Sequence, residues 1–167
     1  MSYSLNTVNQ MNQSEFVKAF GAIFEETPAV AAQAWEKRPF DSVARLHQAM
    51  VEVVEADTEK AQIALIKAHP DLGSRAAMAA ASVHEQAGAG LGQMSEQEYT
   101  RFQQLNSAYK QKFDFPFVMA VKGHNLESIL QAFADRLENT VESERHRALA
   151  EIFQIARFRL EDSVESH

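Results

Sequence analysis

A histidine at a forced helix end is the residue of this chain best suited to chemistry. In Ala68-His69-Pro70-Asp71-Leu72-Gly73 a helical pattern reaches His69, and Pro70 then removes an amide donor and clashes with the preceding turn. An imidazole titrates near neutral pH, so His69 suits general acid or base work in a cleft. A histidine at a helix end also fits a structural cap that interacts with the helix dipole.

A second polar stretch, Ser82-Val83-His84-Glu85-Gln86-Ala87-Gly88-Ala89-Gly90-Leu91, adds a second acid and a glycine-rich loop. By itself, Ser82-x-x-Glu85 also has the form of a helix capping box. The histidines and acids of the two stretches lack the spacing of a known metal motif, so no metal site is expected. The glycines form no dinucleotide fingerprint, and no Gly-x-Ser-x-Gly elbow for a serine nucleophile is present.

The composition is typical of a cytoplasmic globular protein. The 167 residues suit one continuous domain, residues 1–167, and 46% are hydrophobic while 23% are charged. The absence of cysteine excludes disulfides and a thiolate nucleophile, and it fits a reducing compartment. The net charge of −7 predicts no nucleic-acid partner and no anionic membrane partner, and no apolar run is long enough to span a bilayer.

Helical periodicity dominates the elements that must position these residues. Apolar residues recur at helical spacing along nearly the whole chain, and no alternation of strand type persists. This pattern predicts an all-α, single-domain helical bundle of about seven or eight helices. The predicted helix caps are Ser14, Asp41 or Ser42, Ser95, Asn125 and Ser143.

An apolar run near residue 115 and two arginines in the last helix do not fit the pattern of an ordinary helical bundle. The run Phe113–Gly123 is too short for a bundle helix and too apolar for a surface loop, so it should be buried or line a pocket. Extended backbone there would offer amides and carbonyls to a polar ligand. In the last helix, Arg157 and Arg159 each lie among apolar residues, so at least one should point inward, towards a carboxylate of the protein or of a ligand.

Four blocks of residues follow one another along the chain. They are His69-Pro70-Asp71-Leu72; Ser82-x-x-Glu85-Gln86 leading into Ala89-Gly90-Leu91; Tyr109-x-x-Lys112-Phe113-x-Phe115-Pro116-Phe117; and Arg147-Ala148-Leu149-x-Glu151-Ile152 with Ile155-Ala156-Arg157-Phe158-Arg159-Leu160. In this order the blocks resemble the family of 2-oxo-4-hydroxy-4-carboxy-5-ureidoimidazoline (OHCU) decarboxylases, and the resemblance extends over about Asn9 to Leu160. Asp114 stands where the third block of the family commonly has glycine.

The resemblance implies roles for particular residues. His69 and Glu85 would be catalytic, and Arg159 rather than Arg157 would hold a polar group of the substrate. The remaining substrate-binding residues it implies are Pro70, Ser82 and Gln86, together with the backbone of Phe117, Val118, Met119, Ala120 and Val121.

The implied reaction is the decarboxylation of OHCU to (S)-allantoin in urate and purine catabolism. It would need no cofactor, because the substrate's own ring can accept the electron pair that carbon dioxide leaves. The resemblance also implies a homodimer that acts on a small ureide, with functional coupling to a hydroxyisourate hydrolase. Two other hypotheses stay open at this stage: a hydrolase or cyclase that acts on a ureide with the same His and Glu, and a non-catalytic helical interaction module.

Overall fold

The computed structural model describes residues 2–72 and 94–165, and these residues form an all-α fold. Eight helices and no strand occur in these two ranges, as the periodicity predicts. None of the described helices is long and apolar enough to cross a membrane. The helices are α1 (Leu5–Gln10), α2 (Gln13–Phe20), α3 (Ala29–Trp35), α4 (Val43–Glu55), α5 (Glu59–Ala68), α6 (Glu96–Phe113), α7 (Leu126–Leu137) and α8 (Val141–Ser163).

The chain divides into two compact units. The first comprises Met1–Ala68 and Ile152–His167, and the second comprises His69–Glu151. Helix α8 therefore contributes its first half to the second unit and its second half to the first. The single domain inferred from the sequence stays a prediction.

In the first unit, α3 packs against both α2 and α4. The rings of Phe16 and Phe20 lie 4.9 Å apart, and Phe40 stacks on Phe16 at 6.2 Å. The N-terminus is tied to the end of α8, because the amide of Tyr3 donates to the carbonyl of Ser163 at 2.8 Å. These contacts build a core from residues far apart in the sequence.

Two of the predicted helix caps are wrong. Helix α2 is capped by Asn12, whose side chain accepts from the amide of Glu15 at 2.8 Å, while Glu15 accepts from the amide of Asn12 at 3.0 Å. This reciprocal pair leaves the predicted cap, Ser14, inside the first turn. Helix α8 starts before Ser143, since Thr140 accepts from the amide of that residue. The caps at Ser42, Ser95 and Asn125 are confirmed.

In the second unit, α6 packs against α7, and part of the segment between them is buried. The C-cap of α6 is Asp114, which adopts the left-handed conformation with φ 58°. Phe117 stacks on Phe133 at 3.7 Å, and the ring of Tyr109 meets Phe117 edge-on at 5.0 Å. The predicted burial of the apolar run is confirmed for five of its eleven residues, namely Phe113, Phe115, Phe117, Val118 and Met119.

Candidate active site

His69 lies at the end of α5, as Pro70 dictates. The helix stops at Ala68, and His69 is the first residue of the second unit. Only 5% of His69 is exposed, whereas Pro70 lies at the surface. A buried side chain has less rotational freedom than an exposed one, which favours the fixed placement that general acid or base work requires.

The turn after His69 is anchored on both of its sides. Asp71 accepts from the ammonium of Lys110, in α6, at 3.1 Å. The next residue, Leu72, is 2% exposed and belongs to the core. An ion pair and a buried leucine thus hold the two residues that follow Pro70 against the second unit.

Three of the predicted site residues, Ser82, Glu85 and Gln86, lie outside the described residues. Their implied roles stay predictions. Among the described residues, no group of three or more His, Asp or Glu side chains is placed to hold a metal ion.

Residues 117–121, the 117–121 segment, form the predicted substrate-binding backbone. It runs without helical structure between α6 and α7. Its peptide groups are held at three points. The guanidinium of Arg136 donates to the carbonyl of Val118 at 2.8 Å, the amide of Ala120 donates to the carboxylate of Glu151 at 3.1 Å, and the amide of His124 donates to the carbonyl of Val121 at 2.9 Å.

Beneath this segment lies a buried polar network. Glu144 is 0% exposed and Arg136 is 4% exposed, and the guanidinium Nη2 lies 2.9 Å from a carboxylate oxygen. The hydroxyl of Tyr109 donates to the same carboxylate. Burial raises the pKa of Tyr109 well above its ordinary value, so this hydroxyl stays protonated and keeps donating.

Arg136 and Glu144 were not predicted from the sequence, although a signal for both exists. Arg136 follows Phe133 by one helical turn, on the same face as Ile129, so a cation occupies the apolar stripe of α7. Glu144 occupies the corresponding position one turn before Ala148 in α8. A charge in an apolar stripe of one helix, with an opposite charge in the stripe of the next, indicates a buried ion pair.

Arg159 lies in the first unit and points inward, in line with the expectation for the last helix. Its guanidinium contacts a carboxylate oxygen of Glu25 at 2.7 Å and donates to the carbonyl of Ile23 at 3.0 Å. Arg157 instead pairs with Glu161, and 58% of its side chain is exposed. The sequence left open whether an inward arginine would meet a carboxylate of the protein or of a ligand, and in the structure Arg159 meets a carboxylate of the protein. A substrate-binding role for Arg159 stays a prediction.

A family model described as OHCU decarboxylase matches residues 9–161 of this chain. The chain belongs to the OHCU decarboxylase family. The match begins and ends within a few residues of the range over which the four blocks resemble that family, and it includes His69 and the 117–121 segment. The predicted family is therefore confirmed.

Several relatives match this family member over most of its length. This chain is 43% identical over 163 residues to the 2-oxo-4-hydroxy-4-carboxy-5-ureidoimidazoline decarboxylase of Haloferax volcanii, and the match covers 98% of this chain and 97% of that protein. It is 42% identical over 162 residues to the uric acid degradation bifunctional protein of Bacillus subtilis, covering 97% of this chain but 33% of that protein.

A solved structure shares the fold. The crystal structure of (S)-allantoin synthase superimposes with a TM-score of 0.82 at 24% identity, over 97% of this chain and 54% of that chain. The structural likeness extends over both compact units of this OHCU decarboxylase family member.

Proposed function

We propose that this protein catalyses the decarboxylation of OHCU to (S)-allantoin in the degradation of urate. Membership of the OHCU decarboxylase family supplies the reaction class, a carboxy-lyase. The observation that carries the proposal is His69, a buried histidine held at the forced end of α5 within the family's His-Pro-Asp-Leu block.

The chemistry asks little of the protein beyond placement and proton transfer. When the bond from the ring carbon to the carboxylate breaks, its electron pair forms a double bond to the neighbouring ring carbon, and the nitrogen of the substrate's own C=N takes up a proton. The hydroxyl then loses its proton and becomes a carbonyl, while the neighbouring ring carbon gains a proton. No borrowed electron sink is needed, so we propose catalysis without an organic cofactor or metal.

The residues divide between these tasks. His69 handles the proton near neutral pH, with Glu85 as its acid–base partner. The 117–121 segment binds the ureido and ring groups through its peptide N–H and C=O groups, and so orients the ring for protonation on one face. Protonation on a single face gives a single enantiomer of allantoin.

The setting of the reaction follows from the same family. The bifunctional relative of Bacillus subtilis, named for uric acid degradation, supports a close link to another step of that degradation. We propose functional coupling to a hydroxyisourate hydrolase, which would deliver the unstable substrate. The protein would act as a homodimer, as the family resemblance implies, and in the cytoplasm, as its composition indicates.

A circular dichroism time course tests the proposal. OHCU is generated in situ from urate with urate oxidase and hydroxyisourate hydrolase, and carbon dioxide release is followed in parallel. We expect rapid formation of one enantiomer of allantoin together with carbon dioxide. A signal no faster than spontaneous decay to the racemate, or conversion of OHCU without carbon dioxide release, would refute the proposal.

A further inference from the structure

Two charged side chains fix consecutive peptide groups of the 117–121 segment, one through the carbonyl of Val118 and the next through the amide of Ala120. We propose that Arg136 and Glu151 are positioning residues, which hold this segment so that the amide and the carbonyl of Met119 face the substrate. The inference rests on the proposed function, because it assigns the ligand of the segment as the ureide.

Arg136 fixes the first of these groups. Its Nη1 donates to the carbonyl of Val118 at 2.8 Å, while its Nε lies 3.0 and 3.1 Å from the two carboxylate oxygens of Glu144. The guanidinium also lies 4.3 Å from the ring centroid of Phe117. A planar, five-donor cation held by a buried carboxylate and a ring has little freedom, so the carbonyl that it binds is fixed too.

Glu151 fixes the second group, from α8. One carboxylate oxygen accepts from the amide of Ala120 at 3.1 Å, and the other lies 3.2 Å from Nε of Arg147. The side chain of Glu151 is 12% exposed, whereas that of Arg147 is 53% exposed. The carboxylate that binds the peptide is therefore largely buried, while its ion pair with Arg147 is largely hydrated.

The amide and the carbonyl of Met119 are the other halves of these two peptide groups. Met119 is 4% exposed, and neither its amide nor its carbonyl has a hydrogen-bond partner among residues 2–72 and 94–165. Leaving a buried peptide group without a hydrogen bond is costly, so a ligand that bonds both groups is favoured. One donor and one acceptor on the same residue match the N–H and C=O of a ureido group.

The test separates reach from charge at residue 151. Glu151→Gln keeps an acceptor at the same distance from Ala120 but removes the charge, whereas Glu151→Asp keeps the charge but withdraws the carboxylate by one methylene. Arg147→Gln is the matched control, because it breaks the exposed ion pair and leaves the acceptor in place. Steady-state kinetics on OHCU and amide hydrogen exchange at Ala120 are measured for each variant.

We expect Glu151→Asp to raise KM about tenfold with kcat within about twofold, since a displaced binding segment weakens ground state and transition state alike. Exchange at Ala120 should accelerate in the same variant. Glu151→Gln and Arg147→Gln should stay within about threefold of the wild-type KM and keep the slow exchange at Ala120.

Two results would overturn the inference in an active enzyme. One is a wild-type KM in Glu151→Asp, and the other is a Gln variant as impaired as the Asp variant, which would make charge rather than reach decisive. If the wild-type protein does not turn over OHCU at all, the proposed function is refuted, and the substrate-binding role of the 117–121 segment is refuted with it.

Discussion

Replacing Arg136 by leucine should destabilise the protein severely, because it strands a buried carboxylate. Glu144 is 0% exposed, and Arg136 is the cation that neutralises it. The substitution also removes the donor to the carbonyl of Val118. Breaking a buried pair by removing one partner costs about 3–5 kcal/mol, which is a large part of the 5–15 kcal/mol typical of a domain. For a chain of this length, the loss corresponds to a fall in Tm of about 6–20 °C.

A second substitution should restore part of the loss. In Arg136→Leu/Glu144→Gln the buried charge is gone, and the glutamine carbonyl can still accept from the hydroxyl of Tyr109. The carbonyl of Val118 stays without its donor, so we expect recovery of about 2 kcal/mol rather than full stability. Urea unfolding followed by far-UV circular dichroism measures each free energy, provided that the m-values agree.

Arg147→Gln is the control for this series, because it breaks an ion pair whose arginine is 53% exposed and should cost less than about 1 kcal/mol. If Arg136→Leu costs no more than this control, the buried charge is not what stabilises the unit. If the double variant is less stable than Arg136→Leu, the reasoning on the stranded carboxylate is refuted.

Substitutions at three further positions test other features of the second unit. Burial raises the pKa of Tyr109 above the ordinary value near 10, so the tyrosine ionises first in the unfolded state. The free energy of unfolding should therefore fall as pH rises above about 10, by up to about 1.4 kcal/mol per pH unit. Tyr109→Phe should lack this part of the pH dependence in urea unfolding, and an unchanged slope would contradict the prediction. Asp114 has φ 58°, so the free energy of unfolding should rise by about 0.5–1 kcal/mol in Asp114→Gly and fall by about 1–2 kcal/mol in Asp114→Val. Equal Tm values for the two variants would rule out backbone strain at this position. The buried Oδ1 of Asn106 has no hydrogen-bond partner among the described residues. Asn106→Leu should therefore raise the free energy of unfolding by about 1 kcal/mol. A loss of stability would show that this amide is hydrogen-bonded in solution.

The helices were predictable because each rests on local information. The stripe of Val43–Glu55 and the capping box at Ser95 and Glu98 are complete within one window of sequence. The cap of α2 was not, because Asn12 and Ser14 are both good capping residues and the choice depends on the reciprocal bond from Glu15. Local chemistry fixes where a helix occurs more firmly than the residue at which it begins.

The candidate site was predictable only where the sequence itself forces a conformation. Pro70 sets the helix end at His69, and the apolar run predicts the burial of the 117–121 segment. The charges of Arg136 and Glu144 within apolar stripes leave a signal in the sequence, but the contact of Arg136 with the carbonyl of Val118 could not be predicted, because it depends on which elements are neighbours. Tyr109 and Glu144 lie 35 residues apart in the sequence, and no local pattern places them in contact.

Turnover of OHCU by His69→Ala tests the central claim most directly. The account predicts that formation of allantoin falls to the spontaneous rate, while the far-UV spectrum and the urea m-value stay those of a folded protein. A folded variant that still releases carbon dioxide and forms one enantiomer at a rate near that of the wild type would show that His69 does not carry the proton transfer, and would contradict the account.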